Sequence, residues 1–359
     1  FKADVAGFLL SPDGKHVLVW GDVARDCPTL GCDGSGDTSQ PGPGSGRHYK
    51  DGVGFVRHWD AWETPGNYSR GFALALGADG KVTGDAVALD GPAGTLTGDT
   101  PGKPFGGAEE LAWSADSKGV FFAARQADRH EPNSTNIDIW HSPLDGGAPH
   151  NLTAGNLATD TQPAPSPDGK WLAWAAMARP GYEADRLVVQ LLNLATGEQR
   201  ALTQGWDRSA GSIAWTPDSK ALLVTAEDVL DNPLFRIDVA SGKVERLKLA
   251  VKGKTEGHVA NVSVLRDGRV LYTRDSAGGP PEVFLAAKGK PGAQLSHAND
   301  LQLGALNPVE SSRFSFAGAG GDTVWGMIHK PAGANGKLPV LFFVHGGVLA
   351  IPCGSVIPG

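Results

Sequence analysis

Charged and aromatic side chains alternate closely in one short stretch of the sequence, GFVRHWDAWE, which runs from residue 54 to residue 63. Five of its residues could bind a ligand through ion pairs, hydrogen bonds or ring contacts, namely Arg57, His58, Trp59, Asp60 and Glu63. Aromatic rings beside charged groups are typical of ligand-facing surfaces. The same pattern also fits a strand that buries its tryptophans and exposes its charges. We carry the five residues forward as candidate substrate-binding residues.

A serine nucleophile would need a sharp turn, which the pattern Gly-x-Ser-x-Gly provides. No serine of the sequence has glycine both two residues before it and two residues after it. Ser355, close to the last residue, has Cys353 and Ile357 at these positions. The sequence therefore predicts no catalytic residue of this kind.

Two of the three cysteines, Cys27 and Cys32, lie five positions apart in a glycine-rich stretch. A disulfide between them would fit an oxidising compartment, and two free thiols are the other interpretation. A zinc site would need further ligands at metal spacing, and none lies nearby in the sequence. No metal and no cofactor are therefore predicted.

The composition excludes some classes of partner. The 359 residues include 32 basic and 39 acidic side chains, so the formal charge is −7. Nucleic acid is not an expected partner, because phosphate binding needs a basic surface. No apolar run approaches the roughly 20 residues that span a bilayer. The 50 glycines, 25 prolines and 10 tryptophans suit a β-rich protein with many turns.

A turn of the type SPDGK recurs along the chain and organises it. The aspartates of these turns are Asp13, Asp116, Asp168, Asp218 and Asp267, with gaps of 103, 52, 50 and 49 residues. Proline, aspartate and glycine are turn residues, and a short strand rich in β-branched or aromatic residues follows each turn. Trp113 and Trp215 each precede their aspartate by three residues, which indicates a repeated core position.

About fifty residues with four short strands correspond to one propeller blade. A β-sandwich with regular turns would not explain the fixed period. Residues 1–305 are therefore predicted to form an all-β propeller with TolB- or WD40-like blades of four antiparallel strands. About five blades are visible, the first with insertions. Further N-terminal blades are expected to be missing, which would leave the propeller open.

The pattern changes after about residue 303. A Gly-Gly-Asp turn is predicted to join strands at 313–317 and 324–329 into a hairpin. A fully apolar strand is predicted over 339–344, of the kind that is covered on both faces in an α/β sheet. It ends at His345, Gly346 and Gly347. Residues 306–359 therefore form a second predicted segment, the start of another domain.

The ordered combination of SPDGK turns, GDTVWGMIHKP and PVLFFVHGG resembles the prolyl oligopeptidase (S9) family of serine peptidases. The resemblance covers residues 1–347 and is strongest to the dipeptidyl-peptidase 5 and acylaminoacyl-peptidase branch, which also has a stretch similar to RHWDAWE. The turns alone are less specific, because TolB-like propellers share them. The combination with VHGG is what indicates the family.

The resemblance implies an α/β-hydrolase domain after the propeller, in which Gly346 and Gly347 would belong to the oxyanion loop. A simple turn at the end of a strand is the other interpretation of these glycines. The family usually continues with proline, whereas this chain has Val348 and then an unrelated sequence. We therefore expect a hydrolase domain truncated after residue 347.

The expected function follows from the family resemblance and from the absence of the Gly-x-Ser-x-Gly pattern. The parent protein is expected to release dipeptides or N-terminal residues from short peptides, whereas this chain, without a catalytic triad, is expected to be inactive. The alternative is a non-catalytic TolB-like propeller that binds peptides or proteins. Export to a bacterial periplasm is expected, although no signal peptide is visible.

Overall fold

The structure is a computed structural model, and it describes residues 4–24, 27, 30, 67–91, 98–103, 106–126, 134–249, 257–287 and 290–343. Within these ranges the strands form five four-stranded antiparallel sheets and one two-stranded sheet. No helix in the described ranges has the length and apolarity needed to cross a bilayer. The chain divides into two compact units, Phe1–Leu202 and Thr203–Gly359.

The first unit contains three blades, each with its strands hydrogen-bonded in sequence order. Blade 1 consists of β1 (Gly7–Leu10), β2 (His16–Ala24), β3 (Asn67–Leu76) and β4 (Val82–Ala88). Blade 2 consists of β5 (Leu111–Trp113), β6 (Gly119–Ala124), β7 (Asp138–Pro143) and β8 (His150–Asn151). Blade 3 consists of β9 (Asp160–Pro165), β10 (Trp171–Ala176), β11 (Val188–Asn193) and β12 (Gln199–Ala201).

The second unit contains two blades, a short helix and a hairpin. Blade 4 consists of β13 (Ile213–Trp215), β14 (Ala221–Thr225), β15 (Leu234–Asp238) and β16 (Val244–Arg246). Blade 5 consists of β17 (His258–Val264), β18 (Val270–Ser276), β19 (Gly279–Ala286) and β20 (Ala293–Gln294). Helix α1 (Asp300–Gly304) leads to the hairpin of β21 (Val309–Ala317) and β22 (Thr323–Pro331).

The repeated turn joins the first two strands of each blade through short local hydrogen bonds. In blade 3 the Ser166 hydroxyl donates to Asp168 Oδ1 over 2.6 Å, and the same oxygen accepts the backbone N–H of Lys170 over 3.2 Å. The backbone N–H of Trp171, the first residue of β10, donates to Ser166 Oγ over 2.9 Å. Gly169 has φ of 70°, a conformation that favours glycine. The sequence thus contains the whole turn within six residues.

The other blades repeat this arrangement. Side-chain hydrogen bonds of the same type join Ser11 to Asp13, Ser114 to Asp116 and Thr216 to Asp218. Asp267 occupies the equivalent turn between β17 and β18. The predicted repeat of four-stranded propeller blades is therefore confirmed.

Within each unit the core lies between the faces of neighbouring blades, and the second strands of blades 2 and 4 are buried on both sides. All six residues of β6 and all five of β14 are buried. Trp113 and Trp215 are 7% and 8% exposed, which confirms that the repeated tryptophan is a packing position. Trp113 also donates its indole N–H to the Leu9 carbonyl over 3.1 Å, linking blade 2 to blade 1.

The predicted hairpin forms and is longer than the sequence indicated, but the predicted strand over 339–344 does not form in its described part. Residues 338–343 belong to no strand, and Val340 and Phe343 are 86% and 82% exposed. A strand needs a hydrogen-bonded neighbour, and among the described residues the hairpin sheet contains only β21 and β22. Apolar sequence alone therefore predicted this strand wrongly.

Candidate functional site

The two ends of each blade differ in how regular their connections are. We call the end at which the first and third strands begin the connection end, and the opposite end the turn end. At the turn end, all five connections between first and second strands are five residues long: 11–15, 114–118, 166–170, 216–220 and 265–269. At the connection end, those between second and third strands run from two residues (277–278) to forty-two (25–66). Variable connections on a rigid scaffold are where binding residues usually lie.

The candidate substrate-binding residues belong to the longest of these connections. Arg57, His58, Trp59, Asp60 and Glu63 lie between β2 and β3 in the sequence, outside the described residues. The two residues that border this connection, Ala24 and Asn67, pair with each other at the connection end of blade 1. Gly346 and Gly347, the predicted oxyanion residues, also lie outside the described residues.

A buried ion pair lies in blade 1 beside the start of this long connection. Arg70, only 2% exposed, donates from Nε and Nη2 to the two carboxylate oxygens of Asp90, over 3.0 and 2.8 Å. Its Nη1 donates to the Cys27 carbonyl over 2.5 Å. Cys27 is disulfide-bonded, and Cys32, its predicted partner, lies outside the described residues. The ion pair therefore fixes the backbone three residues after β2 ends.

A second acidic group is buried where blade 2 begins. Glu110 ends a short 3-10 turn, Ala108–Glu110, that leads directly into β5. Its carboxylate accepts the Gly102 N–H over 2.6 Å. Burial raises the pKa of Glu110 to about 7, and the charge of Arg125 opposes this shift only weakly. Within the described residues, Arg125 Nε is buried without a hydrogen-bond partner.

Two further carboxyl groups are buried where β7 and β9 begin. Asp138 is 2% exposed and accepts hydrogen bonds from Asn151 Nδ2 over 2.8 Å and from the Thr153 hydroxyl over 3.2 Å. Asp160 is 1% exposed and accepts the Trp174 indole N–H over 2.6 Å. Burial raises the pKa of both groups, that of Asp160 to about 7, and the Asp138 charge adds to the Asp160 shift.

These three acids share a position in their blades and a pKa that burial raises. Glu110, Asp138 and Asp160 all lie where a strand begins, at the connection end of blades 2 and 3. The 3-10 turn with Glu110 also contacts β9, which Asp160 begins. Because burial raises the pKa values of Glu110 and Asp160 to about 7, each of these two carboxyl groups changes its protonation state close to physiological pH. No group of three or more His, Cys, Asp or Glu side chains in the described ranges could hold a metal ion.

The connection end of blade 4 is charged as well, but its groups are paired. Asp228 lies 3.0 Å from Arg208 Nη2 and also forms a short ion pair with Arg246. Asp231, three residues on, is 7% exposed. In blade 5, His258 Nδ1 lies 2.7 Å from Asp275 Oδ1, again where the first strand begins. Both units therefore have buried or paired ionisable groups at the connection ends of their blades.

The sequence predicted none of these buried groups. Arg70 could have been noticed, because it is the one charged residue in the ten-residue strand NYSRGFALAL. Its partner Asp90 is 20 residues away and follows a different strand, so no local pattern announces the pair. Glu110 and Asp160 lack even that signal, since an acid at the start of a strand is ordinarily solvated.

Comparison with known proteins shows which proteins this chain resembles. The chain is 30% identical to dipeptidyl-peptidase 5 of Porphyromonas gingivalis over 351 residues, which is 96% of this chain and 48% of that protein. The chain thus spans about half the length of the curated relatives it matches. No protein-family model matches it.

Two solved structures support the fold. An acylaminoacyl peptidase from Pyrococcus horikoshii superposes with a TM-score of 0.61 at 14% identity, over 92% of this chain and 44% of that chain. A TolB structure from Agrobacterium tumefaciens gives a TM-score of 0.50 at 15% identity, over 81% of this chain and 80% of that chain. At such identities the likeness concerns the fold alone, and that fold is the propeller predicted from the repeats. The resemblance predicted from the motifs is therefore confirmed: the chain is similar in sequence to dipeptidyl-peptidase 5 over most of its own length.

Proposed function

We propose that this chain is the propeller-bearing part of a serine peptidase of the dipeptidyl-peptidase 5 type, which acts on short peptides. The observation that carries the proposal is the alignment with dipeptidyl-peptidase 5 over 96% of the chain. A match of that extent covers the blades and also the hairpin that follows them. It therefore favours a peptidase over the alternative, a TolB-like propeller that only binds peptides or proteins.

The 359 residues by themselves are proposed not to hydrolyse peptides. Serine peptidases need a nucleophile that an adjacent base activates, and removing these groups together removes covalent catalysis. No serine of the sequence has glycine both two residues before it and two residues after it. Gly346 and Gly347 could stabilise an oxyanion only if a nucleophile were supplied from elsewhere.

Peptides are proposed to bind at the connection end of the first unit. The support is that Arg57, His58, Trp59, Asp60 and Glu63 belong to the connection that begins and ends there. A carboxylate such as that of Glu63 can pair with the ammonium group of a peptide, and Arg57 with a carboxylate. The disulfide bond of Cys27 supports export to an oxidising compartment such as the periplasm.

One experiment tests the proposed inactivity of the 359-residue chain. The purified chain is incubated with a chromogenic dipeptide substrate and a fluorophosphonate probe, with Porphyromonas gingivalis dipeptidyl-peptidase 5 as the active control. We expect no turnover and no labelling. Stoichiometric labelling of one serine in the 359-residue chain would overturn the proposal of inactivity.

Binding is measured on the same preparation by titration with an unlabelled dipeptide. Glu63→Gln and Arg57→Ala should weaken it at least tenfold, whereas Glu198→Gln, at the turn end of blade 3, should leave it unchanged. Equal binding by all variants would exclude Arg57 and Glu63 as substrate-binding residues. Tight binding of a folded protein but of no peptide would favour the TolB-like alternative.

A further inference from the structure

The hairpin of β21 and β22 is attached to blade 4 by an ion pair with a buried acceptor. Arg313 lies in the middle of β21, and its Nη2 is 2.5 Å from Asp231 Oδ1. The Asp231 side chain is 7% exposed, and that of Arg313 is 31% exposed. All nine residues of β21 are exposed, so apolar packing holds this strand weakly. A charge-assisted hydrogen bond to a desolvated carboxylate is stronger than an ordinary surface pair.

The hairpin also depends on this attachment because it has only two strands. A two-stranded sheet alone is marginally stable in water. The pairing register runs without interruption from Val309–Pro331 to Ala317–Thr323, and Arg313 lies opposite Met327 at its centre. The two side chains therefore point to the same face of the hairpin, and Met327 is partly buried. One ion pair at this point can align the whole hairpin.

Asp231 is shared among three parts of the second unit. The oxygen that accepts from Arg313, Oδ1, also accepts the backbone N–H of Gly257 over 3.0 Å. The other oxygen, Oδ2, lies 3.9 Å from Arg246 Nη2, at the end of β16. A single carboxylate thus joins the hairpin, the last strand of blade 4 and the residue before blade 5.

The backbone conformation at Gly257 requires glycine, and the residue after Gly257 belongs to an ionisable pair. Gly257 has φ of 67°, and a Cβ there would lie 2.0 Å from the Asp275 carbonyl oxygen. The next residue is His258, whose Nδ1 is 2.7 Å from the Asp275 carboxylate. The group that holds Arg313 therefore also fixes the start of the first strand of blade 5.

We propose that Arg313 is a positioning residue that holds the hairpin against the connection end of blade 4, with Asp231 as the shared acceptor. The hairpin continues, fifteen residues after Pro331, to Gly346. Arg313 thereby sets where the chain leaves the blades toward the predicted oxyanion residues. This last consequence rests on the proposed function, whereas the attachment of the hairpin does not.

Amide hydrogen exchange of the 359-residue chain tests the attachment. Arg313→Ala should speed exchange in peptides from 309–331 about tenfold, the effect expected for losing a charge-assisted bond to a buried group. Arg313→Lys keeps the charge but not the planar fork, so it should restore part of the protection. Exchange in peptides from β14, β15 and β18 should stay unchanged.

Two controls separate the attachment from general effects. Arg269→Ala removes an exposed ion pair with Asp267 in blade 5 and should not alter hairpin exchange. In the unmodified chain, 1 M salt should speed hairpin exchange less than Arg313→Ala does, because a partly buried ion pair is screened only weakly. If hairpin exchange in Arg313→Ala stays within twofold of the unmodified chain, the proposal is wrong. No outcome depends on peptidase activity, so failure here is distinguishable from failure of the proposed function.

Discussion

At the scale of single residues, carboxyl groups buried at the connection ends make the stability of the first unit depend on pH. Glu110 accepts one backbone N–H, from Gly102, which offsets only part of the cost of removing a charged carboxylate from water. Burial therefore dominates and raises its pKa from 4.5 to about 7. The group is protonated in the folded protein at a pH where it would be ionised in the unfolded chain.

The sign of the pH effect follows from linkage. A folded pKa above the unfolded value stabilises the protein fully below the unfolded pKa, and this contribution is lost as the pH rises through the folded pKa. Between pH 5 and pH 8 the unfolding free energy of the unmodified chain should therefore fall. The share of Glu110 is on the order of 3 kcal/mol. Asp160, whose pKa is also raised to about 7, adds to the fall.

Glu110→Gln tests this prediction. The glutamine carbonyl can still accept the Gly102 N–H, but the side chain no longer ionises. The variant should lose less stability between pH 5 and pH 8 than the unmodified chain, as measured by urea unfolding at each pH. It should keep part of the slope, because Asp160, whose pKa is also raised to about 7, still titrates in this range. Glu198→Gln, at an exposed position in blade 3, serves as the control. If the unfolding free energy of Glu110→Gln falls with pH as steeply as that of the unmodified chain, the prediction is wrong.

At the scale of elements, the features that the sequence predicted are those that local contacts create. The turn around Asp168 is complete within six residues, and its copies in the other blades allowed the period and the strands to be predicted. Contacts between residues far apart in the chain were not predictable in this way. Arg313 and Asp231 are 82 residues apart, and neither lies in a recognisable pattern.

The wrong strand over 339–344 has the same explanation. An apolar run shows that a segment tends to be buried, but a strand also needs a neighbour that offers backbone hydrogen bonds. The family resemblance, which rests on ordered motifs rather than on contacts, was predictable in full. The binding residues over 57–63 were predicted from residue types alone and remain a prediction.

The repeated turn gives a prediction at this scale. Gly169 has φ of 70°, and a Cβ would meet nothing closer than 3.7 Å, so only backbone strain opposes a larger residue. Gly169→Ala should lower the unfolding free energy by about 1 kcal/mol, the cost of the left-handed conformation for an L-residue. Gly155→Ala is the matched control, because Gly155 has open space around it and no positive φ. An equal loss in both variants, measured by urea unfolding, would show that the turn conformation does not matter.

At the scale of the whole molecule, the second unit leaves apolar side chains uncovered in the described residues. On the hairpin, the face opposite Arg313 and Met327 carries Phe314, Phe316, Val324 and Ile328, which are 37%, 54%, 39% and 50% exposed. The segment after the hairpin adds Val340, Leu341, Phe342 and Phe343, each at least 77% exposed. Large exposed apolar surfaces are unusual on monomeric proteins and mark sites of association. Exposed strands also carry unpaired backbone groups that favour association.

The 359-residue chain is therefore expected to self-associate as its concentration rises. Light scattering after size-exclusion chromatography should show that the mean molecular mass increases as the protein concentration is raised above the micromolar range. The double variant Phe316→Asp with Phe342→Asp should remain monomeric over the same range, because a carboxylate on either surface would have to be desolvated in the contact. Leu157→Asp introduces one such carboxylate in the first unit, at a residue that is 63% exposed, and it should associate like the unmodified chain. If Leu157→Asp suppresses association as strongly as the double variant, added charge rather than this apolar surface controls the behaviour. A mass that does not change with concentration in the unmodified chain would contradict the prediction outright.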